Sequence, residues 1–398
     1  MPGKKILWIS FTVFDLTLHK TSILEILKHL AERGNDVYWL ALRSKKSMQT
    51  FDYAGARFHL ILIPLRYVPM ITTSLFAAAT LIFLPFFIAI KKPDFIIMHP
   101  GPLIISSIWK PLLNALRIKA VLDVRSTPVL SEFRDRGLLG SLDIIWFNIS
   151  VVVAKKMFDG ITILSTLMKR QICSTFHIHP KFIGVWTSGG SVTLFKPENY
   201  DDLQMRKKLG LTNKFIVFYH GDLTVHRGIV ESIRAIEILS SKYGDCVLFI
   251  LGKGPALPVL RKLILTNTIK HRVLIHDAVE YIDVPKYIAM CDVGIVPLPD
   301  LPEWRYQCPL KLLEYLAMKK VVIVTDIPAN REVIGDSKCG IYVPSSDPKE
   351  IAKAIIYAHN NRERLKEWGS YGRAIINEKY AWEKVGRDLE NYLLSIDD

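Results

Sequence analysis

The sequence predicts an α/β protein made of two doubly wound domains. Apolar, β-branched runs alternate with helical periodicity along the chain, and the series occurs twice. A chain of 398 residues is long enough for two such domains with sizeable cores. Glycines stand at the ends of several of the expected strands, where sheets of this kind bind ligands.

The first series opens with Lys5-Ile-Leu-Trp-Ile-Ser-Phe, read as a buried strand. Two lysines precede it as in a signal peptide, but Asp15 closes the run and an amphipathic helix follows in place of a small-residue cleavage site. Ser22, with Glu25 three residues on, has capping-box spacing. Ile23, Leu27 and Leu30 line the inner face of that helix, and Gly34 ends it. Strands are expected at Val37–Leu42, Phe58–Ile63, Phe95–Met98, Ala120–Asp123 and Gly160–Leu164. The polar stretch Lys196–Asp202 is the expected linker. The second series begins at Lys214-Phe-Ile-Val-Phe-Tyr-His-Gly, followed by a helix from about Val230 to Ser240. Strands at Val247–Leu251, Val273–Ile275, Val293–Pro297 and Val321–Thr325 complete it.

The net charge of +14 is unevenly spread. Residues 1–190 carry 23 Lys/Arg against 11 Asp/Glu, a net +12. The first half therefore suits an anionic partner, most simply phospholipid headgroups or a lipid phosphate. Nucleic acid is disfavoured, because no basic-plus-aromatic module or zinc finger accompanies the charge. The five cysteines are scattered, with no C-x-x-C, which points to reduced thiols in a cytosolic protein. From Tyr67 to Ile90 run 24 uncharged residues bracketed by Arg66 and Lys91-Lys92. The length meets the transmembrane criterion of about 20 apolar residues, but a crossing would separate strands that belong in one sheet. A monotopic helix in the headgroup layer and a buried crossover helix stay open. Ile104–Leu116, with Trp109, Lys110 and Arg117, is a candidate continuation of that surface.

The chemistry concentrates in the second half. In Tyr306-Gln-Cys-Pro-Leu-Lys-Leu-Leu-Glu-Tyr, Pro309 suits the first turn of a helix. Lys311 and Glu314 share one face, while Leu312, Leu313 and Leu316 cover the other. Free N–H groups at the helix start can meet a diphosphate. Lys311 adds charge there, and Glu314 can accept both hydroxyls of a ribose. Upstream, Phe218-Tyr-His-Gly-Asp-Leu-Thr-Val-His-Arg-Gly228 joins a strand to a helix, with Gly221 at the turn and Arg227-Gly228 at the helix start. Gly252 and Gly254 end the next strand and allow close backbone approach. An ordinary helix with surface charges is the bland alternative for the Lys311/Glu314 segment.

In their order and spacing these segments resemble the retaining GT-B glycosyltransferases of the large GT4 family. Leu30–Val37 is similar to that family's first helix and second strand, and Asp159–Ser165 to its last N-domain strand. Ser188-Gly-Gly-Ser191 with Phe195-Lys-Pro197 is similar to its hinge, with serine replacing asparagine, and Trp382–Tyr392 to its final helix. The resemblance implies two facing Rossmann-like domains. Residues 1–193 would form an acceptor domain, rejoined by a C-terminal helix at 381–398 that crosses back, and 197–380 a nucleotide-sugar domain. It places Arg227, Leu310 and Lys311 on the donor diphosphate and makes Glu314 the second glutamate of an E-x7-E motif. It also implies retention by front-face attack without a bound metal or other cofactor, in keeping with the absence of a credible D-x-D. His99, Asp123 and Arg125, at strand ends of the first domain, are the candidate catalytic groups, with a strand-end histidine and an Asp–Arg ion pair as the structural alternatives.

Three departures stand out. Tyr306 replaces the first glutamate, Asp222 replaces a basic residue after Gly221, and Leu16–Thr21 replaces paired glycines, leaving His19 and Lys20 to touch a phosphate or acceptor. The expected protein is a peripheral enzyme of the cytoplasmic membrane face, with a nucleotide-sugar donor and a lipid-linked or polysaccharide acceptor. A catalytically silent GT-B scaffold or partner subunit and a sugar-nucleotide epimerase stay open beside it.

Overall fold

The structure is a computed structural model describing residues 3–13, 20–43, 58–64, 71–126, 138–239, 242–266 and 269–397. The chain divides into two compact units. Unit 1 is Met1–Thr187 with Trp382–Asp398, and unit 2 is Ser188–Ala381. Lys196–Asp202 lies inside unit 2, where Pro197–Asn199 forms a 3-10 turn.

Unit 1 holds β1 (Lys5–Val13), β2 (Asp36–Arg43), β3 (His59–Pro64), β4 (Phe95–Met98), β5 (Lys119–Val124), β6 (Gly160–Ile163) and β7 (Ile183–Val185). They form one sheet in the order β3-β2-β1-β4-β5-β6-β7, and every pairing is parallel. Helices cover both faces of such a sheet, so its strands read as unbroken apolar runs. Ile6 to Ile9 and Phe95 to Met98 are fully buried. The chain reverses direction across the sheet between β1 and β4, where the His99 N–H donates to the Ile9 carbonyl at 3.0 Å. β7 follows the strand expected to be the last. Three residues, Ile-Gly-Val, are too few to carry a period.

Helix α1 (Lys20–Glu32) starts ahead of Ser22, so the Ser22/Glu25 pair lies within the helix and the capping box is not formed. Its inner residues Ile23, Leu27 and Leu30 are buried as expected. The other helices of the first segment are α2 (Ile71–Lys91), α3 (Pro100–Ser106), α4 (Lys110–Ala115), α5 (Leu138–Met157) and α6 (Thr166–Phe176). α2 packs on α3, and α3 on α5.

The last helix, Trp382–Ser395, packs on α1 and β7. Its Tyr392 hydroxyl donates to the Phe182 carbonyl at 2.7 Å and accepts from the Ile161 N–H at 3.1 Å. The ring occupies the space that a Cβ would need at Gly160 and Gly184. Nearby, the Arg33 Nε donates to the buried Glu390 carboxylate at 3.2 Å, and the His29 Nε2 lies 3.7 Å from it.

Unit 2 holds β8 (Phe215–Asp222), β9 (Cys246–Lys253), β10 (Val273–Asp277), β11 (Val293–Val296), β12 (Val321–Thr325) and β13 (Gly340–Val343). The order is β10-β9-β8-β11-β12-β13, and all pairings are parallel. β13 was not expected from the sequence. It sits at a sheet edge and is half-exposed, so its apolar signal is weak. The helices are α7 (Asp202–Leu209), α8 (Ile229–Ile238), α9 (Leu257–Thr266), α10 (Val284–Met290), α11 (Leu310–Ala317), α12 (Pro328–Ile334), α13 (Pro348–Asn360) and α14 (Leu365–Ile375). The strand order reverses between β8 and β11, and ligands of open α/β sheets bind beyond the strand ends at such a point.

Candidate functional site

Three segments meet at the reversal point of unit 2. Gly221 is the penultimate residue of β8, and its φ of 108° is open to glycine and strained for other residues. The lysine stem of α11 comes up beside it, and a Cβ on Gly221 would stand 3.5 Å from the Lys311 Cε and Nζ. A Cβ on Gly252, its partner in the β8–β9 register, would strike the Gly221 carbonyl, and one on Gly254 the Leu223 backbone. Gly228 is the N-cap of α8 with φ 71°, and a Cβ there would run into the Pro297 carbonyl just beyond β11. These glycines hold strand ends and a helix start close together, leaving N–H groups for an anion.

Pro309 is the N-cap of α11 and not its first helical residue, which is Leu310. No side chain caps that end. Leu312, Leu313 and Leu316 are fully buried beneath the helix, each worth about 1.5–3 kcal/mol. They fix the face on which the two polar residues stand. The Lys311 Nζ is buried, has no hydrogen-bond partner among the described residues, and lies 3.7 Å from the Tyr219 ring centroid. Burial holds its ammonium well below the ordinary lysine range, and the Arg227 guanidinium pushes the same way. Arg227 packs over the Trp304 ring at 4.9 Å, and its Nη2 lies 3.8 Å from Asp222. The acid that replaces a basic residue thus faces the remaining cation.

Glu314 is 3% exposed, and its Oε2 lies 3.4 Å from the His220 Nε2. Burial pushes its carboxyl up to about 7, while the donating Tyr281 hydroxyl and the Lys311 charge pull the other way. Burial also drives the His220 imidazole well below the usual histidine range, with Lys311 adding to the effect. All the expected donor-site residues of unit 2 therefore gather at one reversal point. His220, Tyr219, Tyr281 and Trp304 join them unanticipated. His220 had a faint signal, as a lone polar residue closing an apolar strand beside a turn glycine.

In unit 1, His99 caps α3, and its Nε2 lies 3.5 Å from the Oδ2 of the fully buried Asp123. The Asp123 Oδ1 accepts from the Thr162 hydroxyl at 2.9 Å and from the Trp186 indole N–H at 3.0 Å. Arg125 stacks on the Trp186 ring at 3.3 Å and donates to the Trp186 carbonyl at 2.6 Å. Trp186 therefore ties the three candidates together. His19 lies outside the described residues, and Lys20 is described only as the first residue of α1.

Tyr67–Met70, the start of the uncharged run, also lies outside the described residues. The remainder is in α2. Its segment Ser74–Lys91 is long and apolar enough to cross a membrane by length and composition (mean hydropathy 2.0), with only 33% of it buried. Leu75, Ile82, Phe86 and Ile90 form an outward stripe, and Ile82 and Phe86 are 67% and 63% exposed. Ile108 and Leu116 are exposed too. Trp109 and Lys110 do not extend this surface as expected. The Trp109 indole donates to the Leu81 carbonyl at 3.0 Å, and Lys110 turns inward to Asp159 at 2.6 Å. α5 adds an unanticipated stripe of Ile145, Trp146, Ile149 and Val152, ending at the exposed Lys155 and Lys156.

Among the described residues one group, Asp245, Cys246 and His359, brings metal-type ligands together. His359 already hydrogen-bonds Asp245 at 2.9 Å, and burial pushes the Cys246 thiol up to about 12, so the set reads as a hydrogen-bonded pair beside an inert thiol.

Two parallel, Rossmann-type sheets of this order define the fold as that of the GT-B glycosyltransferases, and solved structures agree. A structure of the Anabaena protein HepE in complex with UDP and glucose superposes with a TM-score of 0.76 at 15% identity, covering 98% of this chain and 100% of that one. WaaG, a glycosyltransferase involved in lipopolysaccharide biosynthesis, gives 0.72 at 14% identity, covering 97% and 99%. Residues 201–375 match the family described as glycosyl transferases group 1. Among curated relatives, the alpha-D-kanosaminyltransferase of Streptomyces kanamyceticus is 26% identical over 187 residues, 47% of each chain. A GDP-mannose-dependent monoacylated alpha-(1-6)-phosphatidylinositol monomannoside mannosyltransferase of Corynebacterium glutamicum is 27% identical over 241 residues, 60% of this chain and 62% of that protein. The chain thus spans about half of the first relative and three-fifths of the second.

Proposed function

We propose that the protein is a retaining, metal-independent glycosyltransferase that takes its sugar from a nucleoside-diphosphate donor bound in unit 2. One observation carries this reading: the buried Lys311 Nζ, without a hydrogen-bond partner among the described residues, beside an uncapped helix start and Gly221. Burial disfavours the charged form of Lys311, and a diphosphate would supply the counter-charge that favours it. Leu310 and the N–H groups at the start of α11 would bind phosphate oxygens, Arg227 would add charge, and Glu314 would accept ribose hydroxyls. In transfer, the bond from the sugar C1 to the diphosphate oxygen breaks and the acceptor oxygen bonds to C1 on the same face. The acceptor proton passes to the departing phosphate. Helix dipole and cations stabilise that leaving group. His99, Asp123 and Arg125 are assigned to the acceptor side within unit 1. The GDP-mannose dependence of the mannosyltransferase supports a sugar-nucleotide donor, and its phosphatidylinositol mannoside a lipid-borne acceptor.

The acceptor is read as a lipid-linked glycan met at the cytoplasmic membrane face, with the protein bound peripherally. The exposed stripes of α2 and α5, their terminal lysines and the basic first half support this. The strands on either side of α2 lie in one sheet, which favours a helix along the surface over a span.

The test is a panel of UDP-, GDP- and ADP-sugars assayed for binding and for transfer to native lipid extract, with the anomeric product read by NMR. Transfer with the donor's anomeric configuration kept is expected, undiminished by EDTA. Binding without transfer to any acceptor would leave the silent scaffold in its place. Flotation with anionic vesicles tests the membrane part: Phe86→Glu should abolish flotation without altering donor binding, and a parent protein indifferent to vesicles would remove it.

A further inference from the structure

The reading of unit 2 as a nucleotide site leaves His220 without a role, although its placement is unusual. The residue lies near the end of β8, is buried, and is fixed from two sides. Its ring stacks on Phe218 at 5.6 Å and 21°, and meets the edge of Tyr315 at 5.0 Å and 78°. Tyr315 is itself pinned, because its hydroxyl donates to the Phe218 carbonyl at 2.7 Å. The imidazole therefore has little freedom to turn. Its Nε2 is buried, has no hydrogen-bond partner among the described residues, and points at the Glu314 Oε2 3.4 Å away. A buried polar atom left unpaired costs about 1–3 kcal/mol, and an apolar residue would fill this strand end without that cost.

We propose that His220 is a positioning residue of the nucleotide site, holding one oxygen of the Glu314 carboxylate so that the other lone pairs face the ribose hydroxyls. This rests on the nucleotide-site reading above. A neutral imidazole protonated on Nε2 donates to the carboxylate, and the present separation closes to hydrogen-bond length once the carboxylate ionises against a bound ribose. The Tyr281 hydroxyl, in the turn Tyr281–Asp283, favours the charged form of the same carboxylate. The remaining titratable groups acting on this pair are Lys311 and Tyr315 of α11. Lys311 carries in turn the influence of Arg227 and Asp222.

The experiment compares the parent with His220→Leu, which cannot donate, and His220→Gln, which can. Binding of UDP, GDP and ADP, of the 2′-deoxy form of the tightest, and of inorganic pyrophosphate is measured from pH 5.5 to 8.5. His220→Leu should weaken the tightest ribonucleotide about tenfold. It should also erase the preference over the 2′-deoxy form, shift the pH midpoint of ribonucleotide binding, and leave pyrophosphate untouched. His220→Gln should recover most of the loss. Equal loss of pyrophosphate, or an unchanged 2′-deoxy ratio, would overturn the positioning role. A parent that binds pyrophosphate but none of the three ribonucleotides overturns the nucleotide-site reading and this role with it.

Discussion

Glu314→Gln separates what the site costs the fold from what it supplies to a ligand. Burial lifts the Glu314 carboxyl from an ordinary 4.5 to about 7. Between those values the folded chain keeps a proton that the unfolded chain has lost. The resulting penalty is absent below pH 4.5, grows as pH rises through the window, and is complete above 7. At 1.36 kcal/mol per pH unit it reaches about 3 kcal/mol. Glutamine keeps the shape and carries no charge, so the variant should equal the parent near pH 4.5 and exceed it by up to about 3 kcal/mol at pH 8. Urea denaturation of both proteins at a series of pH values reads the difference, and other titrating groups cancel in the comparison. The same substitution should weaken ribonucleotide binding by about 1.5–3 kcal/mol, since a neutral amide is a poorer acceptor for two hydroxyls. A variant less stable than the parent at pH 8, or a difference that does not change with pH, would refute the account of a buried carboxylate kept for binding.

Three further outcomes follow from the same geometry. Lys311→Met should raise Tm at pH 7, because burial disfavours the lysine's charged form in the folded chain, yet abolish pyrophosphate binding; thermal melts and calorimetry read the two effects. Gly228→Ala should cost about 2–4 kcal/mol, from the left-handed φ and the Pro297 carbonyl in the Cβ position, as measured by urea denaturation. Asp123→Ala should cost about 3 kcal/mol in unit 1 by stranding the Trp186 indole N–H and the Thr162 hydroxyl, whereas Asp123→Asn, which keeps an acceptor, should cost less.

The parallel strands were readable because burial on both faces writes them as apolar runs. Phe95–Met98 and Val321–Thr325 fall where the sequence puts them. β7 and β13 escaped for opposite reasons, one too short and the other half-exposed at an edge. The start of α1 was displaced because capping-box spacing also occurs by chance inside a helix. In the site, Lys311 and Glu314 were legible from their spacing on one helix. What spacing along the chain does not encode is adjacency across the sheet. That His220 faces Glu314 depends on β8 and α11 meeting at the reversal point. That Lys311 rests on the Tyr219 ring depends on the same meeting. Lys110 likewise reads as a surface cation until Asp159 is seen beneath it.

The ring of Tyr392 over Gly160 and Gly184 has a consequence for the order in which the protein can be finished. These glycines belong to strands β6 and β7, yet the side chain that fills the space above them is translated only after all of unit 2. A ribosome delivering this chain N-terminus first therefore releases unit 2 as the first contiguous piece able to complete itself. Unit 1 must wait, its sheet bare on that side, until the last helix emerges. Nascent chains arrested before Trp382 should show a protease-resistant unit 2 and a unit 1 still open to cleavage.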